Sequence, residues 1–198
     1  MHYAIVDDLM QQRAAAALAA QPPLAVPQPK LTSEYFPTLV RSIVSQQIST
    51  KAAAAIFERL QRTVTLEPHT MHACDPHILR SCGLTKQKST YVLALAQSWE
   101  SLEVASFTSL PDAEIVRRLT AVKGIGVWTV QMFLLFALAR PDVFAVGDLG
   151  LRQAVARWYE LDTADQAGIE HVALQWAPHR SLASLTLWFH VDNGPVLL

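Results

Sequence analysis

Apolar residues recur along this chain at the spacing of amphipathic helices. Phe36, Leu39, Val40, Ile43 and Val44 follow the i, i+3, i+4, i+7, i+8 pattern. The same spacing predicts helices over residues 86–99, 112–120, 127–139, 148–159, 165–175 and about 181–190. The alternation typical of strands is confined to short fragments such as TVTLE. The pattern therefore predicts an all-α protein.

Prolines and hydroxyl side chains mark the ends of several predicted helices. The stretch QPPLAVPQPK, residues 21–30, contains four prolines, which exclude a regular helix there. It separates an N-terminal helix, about residues 5–20, from the remainder. Further on, the polar patch SQQIST interrupts the helical pattern, and Ser49 or Thr50 can cap the helix that follows through KAAAAIFERLQR.

Composition and charge narrow the class of protein. With 198 residues, 51% of them hydrophobic, the chain can bury a substantial core in one large domain or two small ones. Its longest apolar run near the C-terminal half, MFLLFALA, is far shorter than the roughly 20 residues that cross a bilayer. We expect a soluble, intracellular protein. Residues 31–99 carry seven Lys and Arg against four Asp and Glu, although the whole chain has a net charge of -1. Binding of a polyanion must therefore be local.

A glycine pair in AVKGIGVWTV, residues 121–130, admits three interpretations. A dinucleotide-binding turn needs a third glycine, where this chain has Thr129, and a preceding strand, where it has a helical pattern. A simple helix corner would use Gly124 and Gly126 for their positive φ angles. A helix-hairpin-helix turn would use the backbone N–H groups and the start of the next helix to hold a DNA phosphate.

The neighbouring motifs favour the hairpin. The sequence resembles the helix-hairpin-helix (HhH-GPD) DNA glycosylases, and among them the 3-methyladenine DNA glycosylase II type, from about Leu39 to Trp188. The resemblance rests on IVSQQIS, GLTKQK, VKGIGVWTVQMFLL, DVFAVGDLGLRQ and WAPHRSLASLTLW. It implies two helical lobes: residues 31–140, with the hairpin at about 121–126, and a second lobe formed by residues 1–30 and 141–198.

The resemblance also implies a mechanism. Asp148, which as an isolated residue would be a helix N-cap, takes the place of the catalytic carboxylate, and Asp142 is the lesser candidate. A carboxylate stabilises the positive charge that develops on the sugar as the base leaves. Trp128 stands where bifunctional relatives carry a lysine nucleophile, which implies a monofunctional enzyme.

Other site residues follow from the resemblance alone. It places Trp128, Trp188 and Met132 around the flipped base. It also implies a cleft between the two lobes that holds Asp148, Trp128 and Trp188. Gln47 would fill the gap left in the duplex. Further DNA contacts are implied for Lys123, Gly124, Gly126, Val127, Thr129, Lys88 and Arg180. The backbone carbonyls of Thr120, Val122 and Ile125 would hold a monovalent cation, Na⁺ or K⁺.

The remaining expectations concern cofactors and rival functions. Two cysteines are too few for an iron-sulfur cluster held by this chain's own thiolates, and no other cofactor is expected. The segment HTMHACDPHILRSC invites a zinc site, but its spacing matches no common one, and a polar loop explains it better. We expect a monomer, cytoplasmic and beside the nucleoid in a bacterium, that releases 3-methyladenine or 7-methylguanine from double-stranded DNA without a membrane partner. A bifunctional glycosylase/lyase and a non-catalytic DNA-binding module are the alternatives.

Overall fold

The structure of the chain, a computed structural model, describes residues 7–20 and 23–191. Within these ranges the regular elements are helices, with no strand, so the predicted all-α class is confirmed. No helix in the described part is long and apolar enough to cross a membrane. Residues 5 and 6 of the predicted N-terminal helix lie outside the described residues.

The chain divides into two compact units, one running from Pro29 to Leu138 and the other formed by the described residues before and after that segment. The first unit contains seven α-helices. These are α2 Tyr35–Ser45, α3 Thr50–Thr63, α4 Pro68–His72, α5 Pro76–Ser81, α6 Lys86–Ser98, α7 Asp112–Thr120 and α8 Val127–Phe136. Single 3₁₀ turns lie at Thr32–Glu34, Glu100–Leu102 and Val104–Ser106.

Helix α2 is central to this unit, because it packs against α3, α6 and α8. The apolar residues that predicted it are all buried. Its Tyr35 ring meets Phe133 of α8 edge-on, with ring centroids 5.1 Å apart. Helix α8 is apolar on nearly every side and is buried from Thr129 onward, except at Gln131. It ends at Phe136 rather than at residue 139, and Ala139 adopts a left-handed φ of 50°, which does not continue a helix.

The second unit contains α1 Asp8–Ala19, α9 Leu149–Tyr159, α10 Gln166–Leu174 and α11 Arg180–Val191. Helix α11 packs against both α1 and α9, and α10 packs against α9. Asp7 caps α1 by accepting hydrogen bonds from the amides of Leu9 and Met10. The buried Trp176 indole stacks edge-on near Phe144, with centroids 5.6 Å apart.

The segment expected to be a polar loop, HTMHACDPHILRSC, instead contains the short helices α4 and α5. Pro68 and Pro76 stand at their first turns, and the Asp75 side chain caps α5 by accepting from the His77 amide at 2.8 Å. Both helices pack against α6, which buries Met71 and Leu79. The prediction of a loop is wrong because helices of five and six residues are too short to show periodicity.

Candidate active site and DNA-binding hairpin

A tight turn joins α7 to α8. The amide of Ile125 donates to the carbonyl of Val122 at 3.1 Å, and Gly124 lies between them with a left-handed φ of 92°. A Cβ on Gly124 would lie 2.0 Å from Cγ of the Tyr91 ring, so both the backbone angle and the space require glycine there. The turn is therefore specified by a residue type and by a packed aromatic neighbour.

Gly126, in contrast, is not required by the fold of the turn. Its φ of -95° and ψ of 172° are extended values open to any residue, so the expectation of a positive φ is wrong at this position. No atom lies within 4 Å of the Cβ that a larger residue would carry. Gly126 precedes α8 and supplies no side-chain cap. The positive end of the α8 dipole therefore opens onto bare backbone, an arrangement that suits an anion.

The predicted DNA-binding residues of the hairpin fall into two groups. Lys123 and Val127 are exposed, as is Gly126. Thr129 is 1% exposed, and its hydroxyl is 3.0 Å from Nε2 of Gln46. A contact of Thr129 with DNA would therefore have to use its backbone amide.

Gln47 lies in the turn between α2 and α3. Its backbone is left-handed, with a φ of 57°, and its side chain is exposed. Ser49 ends the turn by capping α3, since its hydroxyl accepts from the Ala52 amide at 3.3 Å. This confirms the helix start that the sequence predicts at Ser49 or Thr50.

Lys88 and Gln46 fix the same turn. The ammonium of Lys88 donates to the carbonyls of Val44 and Gln46, at 2.7 and 2.6 Å, and so satisfies two acceptors at the C-terminus of α2. Burial lowers the pKa of Lys88. Two donors of a group expected to contact DNA are thus engaged within the protein. Gln46 is a residue that the sequence analysis did not select, because nothing in SQQIST distinguishes it from Gln47.

Asp148 is the N-cap of α9. Its Oδ1 accepts from the Leu151 amide at 2.9 Å and from the indole N–H of Trp188, in α11, at 3.3 Å. The side chain is partly exposed, whereas Trp188 is only 6% exposed. These two N–H donors fix the position of the carboxylate at the N-terminus of α9.

Asp142, the second acidic candidate, is engaged elsewhere. The Arg180 guanidinium binds it through Nε and Nη2, at 2.7 and 2.9 Å, and lowers the pKa of Asp142. Both side chains are about 30% exposed (27% and 32%). Arg180 is therefore part of a bidentate ion pair in its own unit. This ion pair accounts for an arginine at the start of α11 without a contact to DNA.

Trp128 and Met132 lie one turn apart on α8. Trp128, in the first turn, is partly exposed, whereas Met132 is 3% exposed. Trp128 directly follows the exposed Val127, so the aromatic side chain and the hairpin share one end of the helix.

In the described ranges no three His, Cys, Asp or Glu side chains come together as a metal site. Thr120 is the last residue of α7, and Val122 and Ile125 lie in the hairpin turn that follows, where the Val122 carbonyl already accepts from the Ile125 amide. Neutral backbone oxygens are suitable ligands for a hard, singly charged cation, so the chemistry of this donor set fits Na⁺ or K⁺.

Comparison with known proteins agrees with this geometry. Residues 40–179 match the family described as HhH-GPD superfamily base excision DNA repair protein. The chain is 32% identical over 164 residues to DNA-3-methyladenine glycosylase 1 of Schizosaccharomyces pombe, an alignment covering 78% of this chain and 72% of that one. It covers 58% of the length of YfjP from Bacillus subtilis, to which it is 27% identical over 166 residues.

Solved structures of DNA glycosylases share the fold of this chain. The 3-methyladenine DNA glycosylase Mag1 of S. pombe, solved in complex with abasic DNA, superposes with a TM-score of 0.81 at 28% identity, covering 92% of this chain and 91% of that one. A DNA-3-methyladenine glycosidase from Bacillus halodurans gives a TM-score of 0.71 at 31% identity, with 95% and 91% coverage. The chain therefore has the helical fold of these DNA glycosylases. It belongs to the HhH-GPD superfamily, which confirms the resemblance seen in the sequence.

Proposed function

We propose that the protein is a monofunctional DNA glycosylase that hydrolyses the N-glycosidic bond of alkylated purines in double-stranded DNA and leaves an abasic site. The printed names of the S. pombe and B. halodurans relatives support 3-methyladenine as a substrate. 7-Methylguanine is the second candidate, since it carries the same positive charge. The substrate places the protein inside the cell.

The observation that carries the proposal is the Asp148 carboxylate, fixed at the N-terminus of α9 by the Leu151 amide and the Trp188 indole. As the base leaves, the sugar acquires oxocarbenium character, and a fixed negative charge lowers the energy of that state. A side chain already held by two donors loses little freedom when the reaction begins.

The atoms of the reaction balance with one carboxylate. The bond between C1′ and the base nitrogen breaks, and the base takes the electron pair, which neutralises its positive charge. Water then bonds to C1′ and loses a proton, which Asp148 or solvent accepts. A cationic base is already a good leaving group, so no separate acid is needed.

The damaged base must leave the duplex before it reaches the carboxylate. In the proposal Trp128 supplies an indole face for a cationic base, and Met132, one turn later on α8, supplies an apolar contact. The partial exposure of Trp128 supports this role. In the other unit, Trp188 orients Asp148 through its N–H.

Binding of the duplex is assigned to the hairpin. Its amides at the start of α8 and the exposed Lys123 would hold a phosphate, and the open space at Gly126 supports close approach of the backbone. A cation held by the carbonyls of Thr120, Val122 and Ile125 would add positive charge beside that phosphate. Lys88 and Arg180 would contribute less, because their donors are engaged within the protein.

The test is base release from methylated duplex DNA by the wild type and by Asp148→Asn, with strand breaks scored before and after alkali. Asparagine is also a good N-cap, so the variant should fold. Asp165→Asn is the matched control, because Asp165 caps α10 by the same side-chain bond, to the Gly168 amide at 2.9 Å. We expect release without strand breaks by the wild type and by Asp165→Asn, and DNA binding without release by Asp148→Asn.

Other results lead elsewhere. Equal release by all three proteins removes Asp148 from catalysis. Strand breaks before alkali indicate a lyase, although Trp128 stands where the nucleophilic lysine would be. Binding without release by the wild type indicates a non-catalytic DNA-binding module.

A further inference from the structure

The side-chain amide of Gln46 joins two segments that are far apart in sequence. Its Nε2 donates to the carbonyl of Gly124 at 3.1 Å and bonds the hydroxyl of Thr129 at 3.0 Å. Gly124 is the left-handed residue of the hairpin, and Thr129 lies in the first turn of α8. Gln46 itself is the C-cap of α2, directly before the exposed Gln47.

The chemistry of this contact requires an amide. A backbone carbonyl can only accept a hydrogen bond, so the group that faces Gly124 must be a donor. The amide nitrogen of glutamine has two hydrogens, and the two contacts use both. A glutamate or a methionine at this position would leave the Gly124 carbonyl without its side-chain donor.

Helix α6 supports both segments from one face. Lys88 donates to the carbonyl of Gln46 at 2.6 Å, and Tyr91, three residues later and so on the same side of the helix, packs against Gly124. The turn that carries Gln47 and the hairpin are therefore held against a common element in the unit Pro29–Leu138, and Gln46 closes the link between them.

We infer that Gln46 is a positioning residue that couples Gln47 to the phosphate-binding hairpin. The inference rests on the proposed function. In it, the hairpin holds the DNA backbone while Gln47 enters the space that the flipped nucleotide leaves. Gln46 sets the position of one relative to the other, so that binding of the backbone places Gln47 in the helical stack.

This role has a kinetic signature. Loss of the Gln46 contacts leaves the hairpin able to bind a phosphate, so affinity for undamaged duplex should change by less than about twofold. Extrusion of the base becomes less favourable, so base release from a paired site should slow by about tenfold, as expected for a small displacement of a positioning group. The loss should be much smaller where the damaged base is already unpaired.

Gln46→Met is the variant of choice, since methionine has a similar length, no charge and no amide. Gln61→Met, on an exposed position of α3, is the matched control. Single-turnover base release is measured on a duplex with one 7-methylguanine, placed either opposite cytosine or opposite an abasic analogue. Thermal unfolding confirms that each variant is folded. We expect Gln61→Met to behave as the wild type on both duplexes.

A double-mutant cycle with Gln47→Ala separates positioning from a general structural effect. If Gln46 acts through Gln47, the double variant is no slower than the slower single variant, because the two changes remove the same contribution. If Gln46 only supports the fold, the two fold-losses multiply. Multiplying losses, or a Gln46→Met rate equal to that of the wild type on the paired duplex, overturn the inference.

Two further arms keep the result decisive. If Gln46→Met does not fold, Thr129→Val removes one of the two contacts while keeping a buried side chain of similar shape. We then expect Thr129→Val to slow base release about threefold in the wild-type protein and not at all in a protein that already carries Gln47→Ala. If the wild type releases no base, the proposed function fails. The same double-mutant cycle is then measured as affinity for a duplex that contains an abasic analogue, and it tests the coupling of Gln46 and Gln47 independently of base release.

Discussion

The indole N–H of Trp188 reaches Oδ1 of Asp148 at 3.3 Å, which ties the end of α11 to the start of α9 within one compact unit. The same oxygen accepts from the Leu151 amide. Trp188, which the family resemblance implies to lie beside the flipped base, thus also has a polar contact to the proposed catalytic carboxylate. The contact is directional, so its removal can be tested separately from the removal of the ring.

Trp188→Phe keeps an aromatic ring and removes the N–H. We expect about a tenfold lower single-turnover rate of base release, because a carboxylate with one donor fewer is less well oriented toward the sugar. The affinity for undamaged DNA should not change. Rates on methylated duplex DNA and binding isotherms measure the two quantities.

Trp176→Phe is the matched control, since the Trp176 indole also donates to a helix-capping carboxylate, that of Asp7, at 3.2 Å. We expect this variant to lower thermal stability and leave the rate of the folded protein unchanged. Equal rate losses in both variants would attribute the effect to a weakened unit rather than to Asp148.

The two hairpin glycines should respond differently to alanine. Gly124→Ala meets the Tyr91 ring and places a side chain at a φ of 92°, so it should destabilise the protein by more than about 1 kcal/mol. Gly126→Ala meets nothing and has an ordinary φ, so its thermal stability should equal that of the wild type.

For DNA affinity, Gly126→Ala is the informative variant. A methyl group at Gly126 occupies the space proposed for a phosphate, so Gly126→Ala should weaken binding of a duplex about tenfold or more. Unfolding midpoints and binding isotherms of the two variants check the pair. Unchanged affinity in a folded Gly126→Ala would show that the phosphate does not approach at this point.

Sequence reasoning worked where a signal is local. Helix α2 was predictable because five apolar residues share one face, and the start of α3 because Ser49 is a capping residue at a break in the pattern. Helices α4 and α5 were missed as elements, although Pro76 behind the capping Asp75 is a usable signal for a short helix.

Contacts between distant segments were not predictable in the same way. Gln46 bonds residues 78 and 83 positions away, and no spacing rule within the chain indicates such a partner. The contacts of Lys88 with α2 and of Arg180 with Asp142 also join segments that are far apart in sequence, so they were equally unpredictable. The sequence alone does not distinguish a basic residue that is exposed to solvent from one that binds a helix C-terminus or forms an ion pair with an acidic residue.

Asp7 makes the second unit sensitive to acid. Burial by itself would raise the pKa of Asp7, but hydrogen bonds from the Tyr159 hydroxyl, the Trp176 indole and two amides lower it below the ordinary 3.8. A lowered pKa in the folded state means that the stabilisation is complete above pH 3.8 and is lost as the pH falls through the folded value. Asp7→Asn should therefore be less stable than the wild type at pH 7, by about 1 kcal/mol.

The difference should shrink below pH 3.8, where the wild-type carboxyl becomes protonated. Unfolding midpoints from pH 7 to pH 3 measure it. Asp8→Asn, an exposed position one residue later, controls for the loss of a negative charge near the start of α1. A constant gap between Asp7→Asn and the wild type at all pH values would contradict the assignment.

Lys123 and Arg180 should differ in how they respond to salt. Lys123 is exposed in the hairpin, whereas the Arg180 guanidinium is occupied by Asp142. If Lys123 neutralises a phosphate, Lys123→Met reduces the slope of log affinity against log salt concentration by about 1 and weakens binding of every duplex alike. Arg180→Met should leave that slope unchanged and instead lower stability by up to about 1 kcal/mol, the usual range for a partly exposed ion pair. Binding isotherms at several salt concentrations decide the matter. A reduced slope in Arg180→Met would mean that DNA binding exchanges Asp142 for a phosphate.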